Sequence, residues 1–139
     1  MSDPANIIVR DMNKKADLVI IYDHYGKWPM GKPRDLAKYL SDMRIGNGIP
    51  GGMRDCSKFA SGPGCLAAKV VSFLKDMNDA GGIYLEAAAN EAVRYIIEAD
   101  YNNIKIKVII IGEVVFHGTP KEYFENGFRV VDKAIWGSV

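Results

Sequence analysis

The sequence predicts an α+β domain, a mainly antiparallel sheet with two helices packed on one face. Three observations predict it. Segments of alternating or continuous apolar residues come in runs, two early and four late, rather than alternating one for one with helices. Between the runs lie two consecutive segments with apolar residues at helical spacing. Glycine, proline and asparagine clusters punctuate the segments at turn-like intervals. The expected order is β-β-α-α-β-β-β-β-α.

Each element has its own justification. Residues 5–10 (ANIIVR) and 17–25 (DLVIIYDHY) read as strands joined by the polar turn DMNKKAD, a hairpin. The stretch KPRDLAKYLSDMR reads as a helix, with Pro33 in its first turn and Leu36, Leu40 and Met43 along one side. Residues 45–63 read as a long loop rich in turn residues, of a length that is usually functional or mobile. A second helix, GCLAAKVVSFLKDMNDA, carries Leu66, Val70, Phe73, Leu74 and Met77 as an apolar stripe and stops at Gly81 and Gly82. Four strands follow, GIYLEA, AVRYIIEAD, NIKIKVIII and EVVFHG, with DYNN as the turn of a hairpin between the middle two. Thr119 and Pro120 then suit the start of a last helix. Residues 1–139 read as one domain. Residues 127–139, with Phe128, Val131, Ile135 and Trp136 at near-helical spacing, read either as a last element docked on the domain or as a C-terminal arm onto another subunit.

At 139 residues, 48% apolar and 25% charged, the chain has an ordinary globular composition and enough length for a real core. A formal net charge of +1 exerts no global pull toward nucleic acid or an anionic membrane. No apolar run approaches the roughly 18–20 residues that span a bilayer. The first residues lack the basic-then-apolar build of a signal peptide, so the cytoplasm is the default expectation. On that ground Cys56 and Cys65 are expected as thiols. No metal and no cofactor are expected: there is no CxxC, and His24 and His117 are far apart with no ligand cluster beside them.

The neutral total conceals a basic middle. Residues 26–64 hold eight of the fourteen glycines and four of the six prolines. They also hold seven basic residues against three acidic ones, a local excess of +4. Two Gly/Pro-bearing loops, GKWPMGKP and SGPGC, each feed the N-terminus of a helix. Such ends offer unpaired N–H groups and a partial positive charge, a seat for an anion. This points to a small phosphorylated, nucleotide-like ligand, with Tyr25 and Trp28 stacking on a base. Lys27, Lys32, Arg34, Arg54 and Lys58 would meet phosphate, and the backbone around Gly64 and Cys65 would donate hydrogen bonds. Asp23 and His24 are strand neighbours on opposite faces, and His24, on the Tyr22 side, is the one expected to face the ligand. The expectation requires that the two loops meet in space.

Catalysis is the weaker reading. Neither GxxxxGK[ST] nor a strand-borne GxGxxG is present, and no Ser/His/Asp set or carboxylate pair stands out. Cys65 at a helix start could be an activated thiol, but CLAAKVV reads as a buried helical face. A thiol enzyme or small phosphoesterase is therefore one alternative. The other is a protein–protein interaction inhibitor that grips a partner through the aromatic loop and the tail. Nucleic-acid binding is weaker still, because an excess of about four charges supports only a few phosphate contacts.

Tyr25, Gly26, Pro29 and Gly31, then Leu36, Ala37 and Leu40, then Gly64, Cys65, Leu66, Ala67 and Ala68, and finally Gly118, Thr119 and Pro120 together carry a resemblance. The chain resembles a family of small uncharacterised proteins encoded largely by bacteriophages and prokaryotes. It departs from that pattern at Lys27-Trp28 and at Gly62-Pro63, both in the expected ligand region. The resemblance implies no activity. It does point toward action by binding, with sequestration of a host nucleotide immune signal as the concrete version. Apart from the resemblance, a homo-oligomer is expected, and a viral origin would make the cytoplasm that of the host.

Overall fold

The structure is a computed structural model and describes residues 3–48, 57–77 and 82–137. Six strands form one sheet: β1 (Ala5–Asp11), β2 (Ala16–Asp23), β5 (Ile83–Leu85), β6 (Val93–Ala99), β7 (Ile104–Ile110) and β8 (Glu113–Gly118). Their spatial order is β5-β2-β1-β6-β7-β8. Every adjacent pair is antiparallel except the central one, β1 with β6, where Asn6 lies opposite Arg94 and Asp11 opposite Ala99. The expected α+β class, with a mainly antiparallel sheet, is therefore what forms.

Strand alternation sends the odd residues of β1, β2 and β6 and the even residues of β7 to one face. Ile7, Val9, Ile21, Tyr95, Ile97, Ile106 and Val108 are buried there. Against them pack α1 (Lys32–Ser41) through Leu36, Ala37 and Leu40, and α2 (Gly62–Met77) through Leu66, Val70 and Leu74. The opposite face carries Asn6, Arg10, Tyr22, Arg94, Glu98, Lys107 and His117 around Ile8 and Ile96. The connection from β5 to β6 crosses this second face. Glu91 N–H donates to Asn6 Oδ1 at 2.9 Å, and the Arg94 guanidinium donates to the Glu91 and Ala89 carbonyls.

Residues 45–63 are not simply a loop. β3 (Arg44–Gly46) and β4 (Phe59–Ser61) pair in parallel as a separate two-stranded sheet, and α2 already starts at Gly62. Strands of three residues are too short to leave an alternation signature, and Gly46 and Gly48 read locally as turn. The C-terminal segment is a helix in three parts. α3 (Pro120–Glu122) opens with a capping box, in which Glu122 N–H donates to Thr119 Oγ1 and Thr119 N–H donates to Glu122 Oε1. A π-helical turn follows at Tyr123–Gly127, then α4 (Phe128–Trp136), whose Phe128 and Val131 are buried in the core.

Candidate functional site

The aromatic loop between β2 and α1 is built by hydrogen bonds from its own backbone. Asp23 ends β2 on the core face, opposite Ala5. Its carboxylate Oδ1 accepts from Tyr25 N–H, and its carbonyl accepts from Gly26 N–H, both at 3.1 Å. Position 26 must be glycine, since a Cβ there would sit 2.7 Å from that of Ala5. Lys27 N–H donates to the Asp3 carbonyl, Trp28 N–H to the Tyr25 carbonyl and Gly31 N–H to the Trp28 carbonyl. The loop is thus a chain of turns that delivers Pro33 to the first turn of α1.

The other half of the site comes from the C-terminus. Gly127 lets the π-helical turn close on β8, because a Cβ there would stand 2.4 Å from the Phe116 ring. The turn places Tyr123 fully inside, edge-on to Phe116 and Tyr95, with its hydroxyl donating to the Pro29 carbonyl at 3.0 Å. With Phe128 and Val131 of α4 facing the core, Trp136 emerges beside Trp28, ring centroids 5.0 Å apart and planes 33° apart. Met30 is 57%, Tyr25 48%, Trp28 47% and Trp136 44% exposed, so none of them is a core residue. On the sheet side, Tyr84 stacks on Tyr22 at 5.0 Å, the Tyr22 hydroxyl and His24 Nδ1 share a 3.0 Å hydrogen bond, and His24 meets Tyr25 edge-on at 4.9 Å. Aromatic side chains from β5, β2, the loop and α4 therefore line one end of the molecule.

The structure brings His24, Tyr25, Lys27, Trp28, Lys32 and Arg34 together at this end and separates them from the rest of the expected ligand site. Lys32 Nζ lies 3.1 Å from Asp23 Oδ1. The Arg34 guanidinium carbon lies over Phe128, 4.0 Å from the ring centroid, and its Nε donates to the Phe124 carbonyl at 3.1 Å. Both cations are committed internally. Lys27 has no ion-pair partner among the described residues. Gly64 and Cys65 lie in the first turn of α2 at the far end of the sheet. There a Cβ on Gly62 would sit 2.8 Å from Tyr101, in the turn between β6 and β7. The start of α1 adjoins Ala5 and the start of α2 adjoins the Asp11 end of β1, about 20 Å away at the rise of an extended strand. The two loops thus do not meet, because α1 and α2 run in opposite directions and place their N-termini at opposite ends. Cys65 is a free thiol, half-buried against the core. Lys58 is exposed, its carbonyl accepting from Arg44 N–H, and lines a groove of about 460 Å³ between α1 and α2 with Tyr39, Met43, Phe73 and Met77. Arg54 and Cys56 lie outside the described residues.

One ionic cluster escaped the sequence reading. Glu98 on β6, 6% exposed, lies 2.6 Å from His117 Nε2 on β8 and 3.2 Å from Lys107 Nζ on β7, strapping three strands across the second face. Its signal exists only once the strands are in register, where Lys107 stands opposite His117. Among the described residues no group of three or more His, Cys, Asp and Glu side chains could hold a metal ion, and no helix is long and apolar enough to cross a membrane.

No family model, no curated protein and no solved structure matches this chain.

Proposed function

We propose that this chain is a non-catalytic interaction protein that grips a partner protein through Tyr25, Trp28, Met30 and Trp136. The observation that supports this reading is the contact between Trp28 and Trp136, two half-exposed indoles from opposite ends of the chain. Tryptophan, tyrosine and methionine are the residue types enriched where protein interfaces concentrate their binding energy. Covering the exposed part of each indole removes on the order of 100 Å² of mostly apolar surface, roughly 2–3 kcal/mol per ring. The loop is also held in place before any partner arrives, which lowers the ordering cost of docking.

Because the chain has only two tryptophans, its emission reports on this surface alone. A stoichiometric protein captured from cell lysate should be lost with Trp28→Ala plus Trp136→Ala. If the double variant retains the partner unchanged, the surface is not where docking occurs. A blue shift on simple concentration of the pure protein identifies the partner as a second copy.

A second reading, a nucleotide-like ligand on the loop alone, is favoured by the half-exposed rings of Tyr25 and Trp28 on the same loop as Lys27, which has no ion-pair partner among the described residues. Calorimetry against cyclic di- and trinucleotides and ADP-ribose derivatives decides it. Affinity in the micromolar range, lost with Lys27→Ala, supports it, and nothing tighter than about millimolar rejects it.

A further inference from the structure

At the end of the molecule away from the aromatic loop, the last turn of α1, β3, the β6–β7 turn and the start of α3 border a cleft of about 380 Å³. α1 begins beside the aromatic loop and ends at this cleft, so the two places are separated by the length of that helix, roughly 15 Å. Met43, Ile45 and Ile104 give the cleft apolar walls. Its charged residues are Arg44 and Lys121, both exposed, and no carboxylate lines it among the described residues. The acids adjacent in the chain are directed elsewhere. Asp42 lines the groove between α1 and α2. Asp100 Oδ1 accepts from the Asn102 and Asn103 N–H groups, both at 2.7 Å, and Glu122 Oε1 accepts from Thr119 N–H. A recess whose charges have one sign, set between low-dielectric walls, concentrates anions. The β6–β7 turn adds a second kind of group. With their backbone N–H groups held by Asp100, Asn102 and Asn103 both line the cleft. A side-chain amide donates and accepts, which matches the hydroxyl groups of a polyol.

We propose that this cleft binds a small phosphate monoester with a hydroxylated body, the chemistry of a sugar phosphate. Arg44 pairs with the phosphate through its planar fork and Lys121 as a point charge. The Asn102 and Asn103 amides take the hydroxyl groups, and the apolar walls meet the C–H faces of the sugar. The volume stands near the lower end of the roughly 300–1,000 Å³ typical of small-ligand sites, which suits one sugar ring with its phosphate rather than a dinucleotide. Inorganic phosphate shares the anionic chemistry but leaves the two amides unused. The site shares no residue with the aromatic surface, so either can fail without the other.

Calorimetric titration of the full chain with ribose 5-phosphate, glucose 6-phosphate, inorganic phosphate and glucose tests the proposal. At least one sugar phosphate should bind with a Kd below about 1 mM, and about tenfold or more tightly than inorganic phosphate or glucose. Arg44→Gln with Lys121→Gln should weaken that binding at least about tenfold, and Asn102→Ala with Asn103→Ala should remove the preference over inorganic phosphate. Trp28→Ala plus Trp136→Ala, and Lys27→Ala, should leave it unchanged. All four substituted cleft residues are exposed, and a proton NMR spectrum of each variant checks that it is folded. The proposal is overturned if neither sugar phosphate binds more tightly than about 1 mM, if inorganic phosphate binds equally well, or if the Arg44 and Lys121 double variant binds as the native chain does.

Discussion

Arg34 illustrates how a residue's neighbours override its type. A basic residue beside a glycine-rich loop invites a phosphate, yet its guanidinium lies over the rings of Phe124 and Phe128 and donates to a backbone carbonyl ninety positions away. The planar fork matches this site and a lysine ammonium does not. Arg34→Ala is expected to destabilise the fold by about 1–2 kcal/mol, and Arg34→Lys to recover only part of that, measured by urea unfolding. Asp23 and His24 behave as strand alternation requires: one is buried under the helices and the other sits with Tyr22. Nothing at the level of single residues could have placed Glu98 between Lys107 and His117, because that depends on which strands become neighbours.

Elements were legible where their periodicity ran long enough. The amphipathic α1 and α2, and the β1–β2 and β6–β7 hairpins, follow from seven or more residues of consistent pattern. β3 and β4 do not, being three residues each. The π-helical turn was also invisible, since the close approach of Gly127 to the Phe116 ring that accompanies it is a tertiary contact. Two substitutions separate these cases. Gly127→Ala drives a methyl group into the Phe116 ring and should cost about 1–3 kcal/mol while loosening the Trp28–Trp136 contact. Gly64→Ala meets nothing within 4 Å in the first turn of α2 and should stabilise by about 0.4–1 kcal/mol. Thermal unfolding distinguishes the two, and a loss on Gly64→Ala would contradict the open surroundings described for that position.

At the scale of the whole molecule, the buried phenols set a pH limit. Burial raises both Tyr95 and Tyr123 above the ordinary tyrosine value. The folded state therefore keeps both protons where the unfolded chain begins to lose them. The stability this represents is complete below the unfolded value near 10 and declines as pH rises beyond it. Denaturant midpoints should fall above about pH 10, less steeply in Tyr95→Phe and Tyr123→Phe variants. A flat profile up to pH 11 would mean that the phenols are open to solvent.

The sequence by itself determined the fold class, the two long helices, the hairpins and the concentration of aromatic residues in one loop, because each rests on local spacing or composition. Only the tertiary structure decided where those pieces meet. Antiparallel α1 and α2 separate the two basic loops by the length of β1, and the π-helical turn swings Trp136 onto Trp28. The reason is physical: periodicity reports which face of an element is apolar, whereas the direction of a helix across a sheet and the register between distant strands follow from packing the whole chain at once.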